Sequence, residues 1–271
     1  MTDERMFDGF GLHAVVVGSG AREHAITLQL LNENWTVDVV PGNPMIPGST
    51  LGPLDDVYSL DAHLFIIGPE VPLVEGMADK LRAAGKGVFG PGSEMAQLEG
   101  SKIWMKRLLA EAGVPTALWR SVDSHEAVRL ALGWLKNMVG CTTYVIKTDG
   151  LAAGKGVTVT SDYRAAEADG YAKVDQYPDR VNAVRRALIE EGFEGVELSQ
   201  FGICNGREAY MIDGAKDYKR LNDGDKGPNT GGMGAVSPLE ATPHGISREQ
   251  QVSIFAATTG KLMTFMVEHD M

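Results

Sequence analysis

The residues best equipped for chemistry lie in YVIKTDGLAAGKGVTVT, Tyr144 to Thr160, where Gly150, Gly154 and Gly156 are interleaved with Lys147 and Lys155. Glycines let a backbone approach an anion closely and turn successive N–H groups toward it, and lysine adds a mobile positive charge, so the stretch suits phosphate. Two β-rich runs, Tyr144 to Lys147 and Val157 to Thr160, enclose it and predict a hairpin with the glycines in its loop. The same pattern also fits a plain glycine hairpin with surface lysines. A Walker loop is excluded, because that motif places four residues between its first glycine and the Gly-Lys pair and then Ser or Thr. Here Gly150 and Gly154 enclose three residues, and Gly156 follows the lysine. A second chemical stretch is DYKRLNDGDKGPNTGGMGAVSP, Asp217 to Pro238, crowded with charge, amide and glycine. Its composition predicts a long loop, and loops of that length are usually functional or disordered.

These residues need elements to hold them. HAVVVG, His13 to Gly18, reads as a buried parallel strand, and GSGAREHAITLQLLNEN as a glycine turn followed by a helix with an apolar face at Ala25, Ile26, Leu28, Leu30 and Leu31. Strand, tight turn and helix place free N–H groups and the positive end of a dipole at the turn, with Arg22 beside them. Glu23 stands where the dinucleotide fingerprint requires its third glycine, which argues against NAD. Further strands at Thr36 to Val40 and from Leu64 each run into a glycine-bearing loop. Gly18 to Glu23, Gly42 to Asn43 and Gly68 to Glu70 therefore share one edge of a parallel sheet, where a small anion would sit. PLVEGMADKLRAAGKGVFG predicts one helix and a short strand at Val88 and Phe89.

A domain boundary is expected near Gly100. Beyond it, Ile103, Met105, Leu108 and Leu109 form a helical stripe ending at Gly113, Ala117 to Val122 a strand, and Ser124 to Lys136 a helix capped by Asp123 or Ser124. Asp162 to Asp169 reads as helix, Val184 to Glu191 as leading into a strand, and the alternation around Asn205-Gly206 as an antiparallel hairpin. Ser247 to Val267 closes with an apolar-faced helix. The 271 residues, 44% of them hydrophobic, suffice for two or three lobes of a soluble globular protein. The net charge of −11 argues against a nucleic-acid or anionic-membrane surface. With only Cys141 and Cys204, no disulfide framework is expected, a cysteine metal site is excluded and a reducing, cytoplasmic setting is expected. No apolar run approaches ~18 residues, and the polar start MTDERMFDGFG reads as a loose extension.

Taken together, GSGAREHA, PGN, GPEVPLVEG, FGP, AQLEGSK, VPTA, VIKTDGLAAGKGV, EGVELS and DYKRLNDGDKGPNTGGMGAVSP resemble the phosphoribosylamine–glycine ligase family of the ATP-grasp superfamily, from about His13 to Pro238. The resemblance implies an α/β and α+β multidomain fold. A loose extension over 1–12 precedes a Rossmann-like parallel-sheet N-terminal substrate-binding domain over 13–100 and a linker helix and strand over 101–121. A small ATP-grasp lobe with a glycine-rich lid over 122–191 and an incomplete core lobe over 192–271 follow, so that the ATP-grasp domain is truncated at its C-terminal side. The implied reaction joins glycine to 5-phosphoribosylamine through glycyl phosphate, giving glycinamide ribonucleotide, ADP and phosphate.

Residue by residue, the resemblance implies that Lys102 and Lys147 contact the ATP phosphates, with Gly150, Leu151, Ala152, Ala153, Gly154, Lys155 and Gly156 closing above them. Glu190 and Glu191 fall at the hinge that holds adenine, and Glu197 where a carboxylate takes the ribose hydroxyls. Asp217, Lys219, Arg220, Asn229, Thr230, Gly231 and Gly232 fall around the reacting centre. Gly18, Gly20, Arg22, Glu23, Gly42, Asn43, Gly68, Pro69, Glu70, Pro72 and Leu73 match the phosphoribosylamine pocket. Two departures carry expectations of their own. Between Gly42 and Gly68 the chain is shorter than the family pattern, which predicts that the helix of the second β-α-β unit is trimmed to a loop. The chain also stops before the family's Glu and Asn ligands for Mg2+ (or Mn2+), so no metal ligand is expected before Met271. The expectation is an incomplete ligase chain: a fragment, a chain completed by a second one, or an inactive homologue. The competing reading is a non-catalytic ATP- or phosphosugar-binding module.

Overall fold

The computed structural model describes residues 11–151, 156–175, 186–224, 226–242 and 245–271. The chain forms two compact units, Met1–Gly100 and Ser101–Met271. Among the described residues no helix is long and apolar enough to cross a membrane.

The first unit is built on β1 (His13–Gly18), β2 (Thr36–Pro41), β3 (Leu64–Ile67) and β4 (Val88–Phe89), in the order β2-β1-β3-β4 and all parallel. Successive β1 side chains point to opposite faces, as the pleat requires. Val15 and Val17 join Phe65, Ile67, Leu73, Met77 and Leu81 on one side, while Val16 packs with Val37, Val39, Ile46 and, from α1 (Ala21–Asn32), Ile26 and Leu30 on the other. A sheet buried on both faces explains why β1 is apolar from Ala14 to Val17. The connection from β2 to β3 carries only a 3₁₀ turn at Leu54–Ser59, in keeping with the shortened segment. The single helix expected after β3 is in fact two, α2 (Glu70–Val74) and α3 (Met77–Ala83), because Gly76 adopts the left-handed conformation with φ +82° and breaks the run. A short α4 (Gln97–Gly100) ends the unit.

The second unit opens with α5 (Lys102–Glu111), β5 (Trp119–Val122) and α6 (His125–Trp134), whose Ser124 Oγ accepts from Ala127 N as the N-cap. A π turn at Leu135–Val139 extends α6. β6 (Tyr144–Thr148) and β7 (Val157–Thr160) form the expected antiparallel hairpin, followed by α7 (Tyr163–Asp175) and β8 (Ala187–Glu191). These strands make an antiparallel sheet in the order β5-β8-β6-β7. Val122, Tyr144, Ile146, Ala187 and Ile189 pack against α6 and α7 on one face. α7 runs past Asp169, the last residue expected to be helical, and includes Gly170. A Cβ there would lie 2.7 Å from Val128 Cγ1, so close packing of α6 on α7 retains the glycine inside the helix.

The last strands overturn one expectation. Asp217 to Pro238 is not a loop: β10 (Ala209–Asn222) pairs with β9 (Ser199–Cys204) on one side and with β11 (Lys226–Val236) on the other. Strand propensities differ by only about 1 kcal/mol, so a ready-made ladder on β10 outweighs the poor preferences of glycine, aspartate and asparagine. Pro228 is tolerated because β11 is the sheet edge. The pairing is irregular, with register shifts between Tyr218 and Arg220 and between Arg220 and Asn222. The expected helix from Ser247 is present as one continuous helical run, α8 (Arg248–Phe255), a π segment at Ala256–Gly260 and α9 (Lys261–Glu268), with Ser247 as its N-cap.

Candidate active site

In the first unit the three glycine-bearing loops do meet at one sheet edge. Gly42 N donates to Gly18 O (3.1 Å) and Gly68 N to Val17 O (3.0 Å). Asn43 Nδ2 donates to Ser19 O (2.7 Å) and Arg22 Nη2 to Gly68 O (2.6 Å), with Glu70 Oε1 3.3 Å from the same nitrogen. Glu23 is buried, and its Oε2 accepts from Gly20 N (2.7 Å), so the acidic residue replaces the third glycine of the fingerprint by folding back on the turn. Pro69 precedes α2 as its N-cap. Pro72 and Leu73 are buried, Leu73 within the core, so these two support the loop edge from beneath.

Gly68 leaves no room for a side chain: a Cβ would fall 2.0 Å from Glu23 Oε1 and 2.6 Å from its Cδ. Gly68→Ala is therefore expected to expel the Glu23 carboxylate and to lower stability by about 1–3 kcal/mol, as overpacking does. Melting curves check this. Glu23→Ala made in the same chain should recover part of the loss, and a fully additive double variant would refute the steric cause.

In the second unit the pleat decides which side chains converge. Ile146 and Ile189 face the α6–α7 core, so their neighbours Lys147 and Glu190 emerge together on the opposite face. Register pairs Lys147 with Leu188 and Val145 with Glu190, which makes Lys147 and Glu190 diagonal neighbours, and Lys147 Nζ pairs with Glu190 Oε1. Lys106 from α5 meets the other oxygen, its Nζ lying 2.6 Å from Glu190 Oε2. That approach lacks hydrogen-bond alignment and acts as an ion pair; the aligned partners of Lys106 are Thr116 Oγ1 (2.6 Å) and Ala117 O (3.3 Å). Lys106 and Glu190 are both buried, whereas Lys147 is partly exposed.

The root of the glycine hairpin is tied to the start of α5. Asp149 accepts from Ser101 Oγ (3.1 Å) and Ile103 N (3.2 Å), satisfying a first-turn N–H, while Lys102 Nζ donates to Gly150 O (2.7 Å). Thr148 N donates to Gly156 O (2.9 Å) and closes the hairpin base. Ala152, Ala153, Gly154 and Lys155 lie outside the described residues. Glu191 is tied to the backbone before β5: Leu118 N donates to its Oε1 (2.8 Å), and its own N donates to Leu118 O (3.0 Å).

A further cluster lies on the β10–β11 hairpin. Lys219 Nζ pairs with Glu197 and lies 3.4 Å from Asp217 Oδ2. Arg220 Nη1 donates to Gly227 O (2.8 Å), Thr230 Oγ1 to Lys219 O (2.8 Å), and Gly232 N to Thr230 Oγ1 (3.1 Å). Asn229 stands opposite Arg220 in the ladder, and Gly231 follows Thr230 on β11. The hydrogen bond to Glu197, opposed by partial burial and aided by Asp217, holds the Lys219 ammonium pKa above its ordinary value of 10.5. A raised value favours the folded state at every pH below 10.5 and is lost as pH rises through the folded-state value. The tie should thus be indifferent to neutral pH, and Lys219→Met should flatten the alkaline limb of a melting-temperature profile, by under about 1 kcal/mol because the pair is half-exposed.

Sequence reasoning missed Lys106, Ser101 and Asp149. The signal for Lys106 was its spacing, since Lys102 and Lys106 are one helical turn apart and Lys106 interrupts the apolar stripe of Ile103, Met105 and Leu108.

An antiparallel sheet carrying a glycine hairpin and inward lysines, followed by a second antiparallel sheet, is the ATP-grasp architecture. Residues 12–99 match the model of the phosphoribosylglycinamide synthetase N domain and residues 100–269 that of its ATP-grasp (A) domain, and the chain belongs to this family. Phosphoribosylamine–glycine ligases of Leifsonia xyli subsp. xyli and Streptomyces coelicolor are 46% and 42% identical to it over 242 residues, each match covering 84% of this chain. The chain spans about half the length of these relatives, 55% and 54%. The solved phosphoribosylamine–glycine ligase of Thermotoga maritima superposes with TM-score 0.74 at 28% identity, over 95% of this chain and 62% of that one. D-alanyl-alanine synthetase A of Vibrio cholerae shares the fold, with TM-score 0.61 at 14% identity.

Proposed function

We propose that this chain supplies the phosphoribosylamine- and ATP-binding units of a cytoplasmic ligase that joins glycine to 5-phosphoribosylamine in purine synthesis, releasing ADP and phosphate. The observation that carries this reading is that, in a member of this family, Lys102 is bonded to Gly150 O at the root of the glycine hairpin and Lys147 stands on the strand that leads into it. A carboxylate resists an amine because hydroxide is a poor leaving group. Transfer of the ATP γ-phosphoryl to the glycine carboxylate gives an acyl phosphate and ADP; the amine then attacks the acyl carbon, phosphate leaves, and the amine loses a proton. Lys102 and Lys147 supply positive charge where phosphoryl oxygens would lie. Glu190 and Glu191 stand at the nucleotide hinge, Glu197 is the carboxylate for the ribose hydroxyls, and Asp217, Lys219, Arg220, Asn229 and Thr230 frame the reacting centre. Gly18, Gly20, Arg22, Gly42, Asn43, Gly68 and Glu70 form the edge for the phosphosugar, and Glu23 shapes it from within.

The family's chemistry implies Mg2+ or Mn2+. Among the described residues no three His, Cys, Asp or Glu side chains gather as a cation site, and no step is assigned to the metal.

The test is ligand-dependent stabilisation by a non-hydrolysable ATP analogue and by ribose 5-phosphate, together with glycine- and phosphoribosylamine-dependent ADP release, with and without the C-terminal part of the Leifsonia xyli relative. Stabilisation by both ligands, with turnover on complementation, is the expected result. Failure of both ligands to stabilise the chain refutes the proposal.

A further inference from the structure

Lys106, Glu190 and Lys147 form a triad with two cations and one anion, and its members differ in how firmly they are held. Lys106 is fixed: it projects from α5, it is buried, and its ammonium donates to Thr116 Oγ1 at 2.6 Å and Ala117 O at 3.3 Å while forming an ion pair with Glu190 Oε2 at 2.6 Å. Glu190 is fixed from behind, being buried on a strand bonded on both sides, to β5 and to β6. Lys147 is the member with access to solvent, its side chain 26% exposed.

A buried carboxylate with one lysine would hold that lysine tightly, because attraction grows as the surroundings exclude water. Two lysines change the outcome. Lys106 neutralises Glu190 permanently and repels Lys147, so the more exposed ammonium can leave for another anion without stranding a buried charge.

We propose that Lys106 is a positioning residue that acts through Glu190: it is the buried counter-cation that keeps the Lys147 ammonium available to an anionic ligand. The proposal deepens the reading of Lys147 as a phosphate contact and rests on it. Lys106 itself reaches no ligand in this scheme.

The test is trace acetylation of the whole chain, following the rate at Lys147 by peptide mass spectrometry. The neutral amine is the reacting species, so a tighter grip on the ammonium slows the reaction. Lys106→Gln keeps a donor toward Thr116 and Ala117 while deleting the charge. It should slow acetylation of Lys147 about tenfold. In Glu190→Gln the rate should rise above that of the unsubstituted chain, and adding Lys106→Gln there should slow it much less than it does with Glu190 present, leaving only the direct repulsion between the two lysines. An unchanged rate in Lys106→Gln overturns the proposal, as does a slowing of the same size without Glu190, which would mean that Lys106 does not act through the carboxylate. If circular dichroism shows that Lys106→Gln does not fold, Lys106→Arg decides: it keeps the charge and should keep the original rate, and a tenfold fall overturns the proposal. Protection of Lys147 by the ATP analogue is measured separately, and its failure refutes the phosphate reading, while the acetylation rates judge the hold of Lys106 on Glu190.

Discussion

Glu190→Ala is expected to lower the stability of the Ser101–Met271 unit by about 3 kcal/mol, the cost of leaving a buried charge without its partner. The physical reason is the position of Lys106. Its side chain is 5% exposed, and among the described residues two neutral oxygens, Thr116 Oγ1 and Ala117 O, remain to it once the carboxylate is gone. For a unit of this size the change corresponds to a fall of roughly 6–12 °C in melting temperature. Calorimetry of the whole chain checks it, with the two units followed as separate transitions if they melt apart. A fall under about 1 kcal/mol would mean that Lys106 reaches water or another acceptor and that the triad is not a buried charge cluster.

Lys147→Met should behave in the opposite way. It removes the exposed cation and leaves Glu190 paired with Lys106, so the fold keeps a balanced buried pair and the melting temperature should move little. Binding of a nucleoside triphosphate analogue should weaken by about 1.5–3 kcal/mol, tenfold to a hundredfold, the usual worth of a hydrogen bond to a charged group. Isothermal titration against the unsubstituted chain measures it, with nucleoside alone as the control that should bind equally to both. Loss of stability matching that of Glu190→Ala, or unchanged affinity for the triphosphate, would refute the division of labour between the two lysines. Glu190 thus carries the fold and Lys147 the ligand, although the two side chains touch.

Much of this was legible in the sequence, and for one kind of reason. Features set by a few consecutive residues could be read: the glycine hairpin of β6 and β7, the Asn205-Gly206 turn between β9 and β10, the apolar β1 and the Ser124 cap of α6. Gly18, Gly42 and Gly68 were placed on one edge because parallel strands with glycine-bearing ends leave their loops on the same side. The order and chemistry of the motifs were likewise sufficient for the family resemblance.

Tertiary structure decided what depends on partners far along the chain. Asp217 to Val236 became a strand pair because β10 was already held by β9, and the energy of a ladder exceeds a weak local preference for loop. Gly170 remained helical because Val128 occupies the space of its missing side chain. Glu23 serves its loop because the glycine at 68 leaves it room, an arrangement spanning two separate β-α turns. Most of all, the charge state of the lysine site could not be read from VIKTDG or IEE alone. Pleat parity brings Lys147 and Glu190 to one face, and Lys106 arrives from a helix 41 residues before Lys147 in sequence. Local spacing determined which residues could bind phosphate; only the packing of α5 against β8 determined which of the lysines is buried as a counter-charge and which remains exposed.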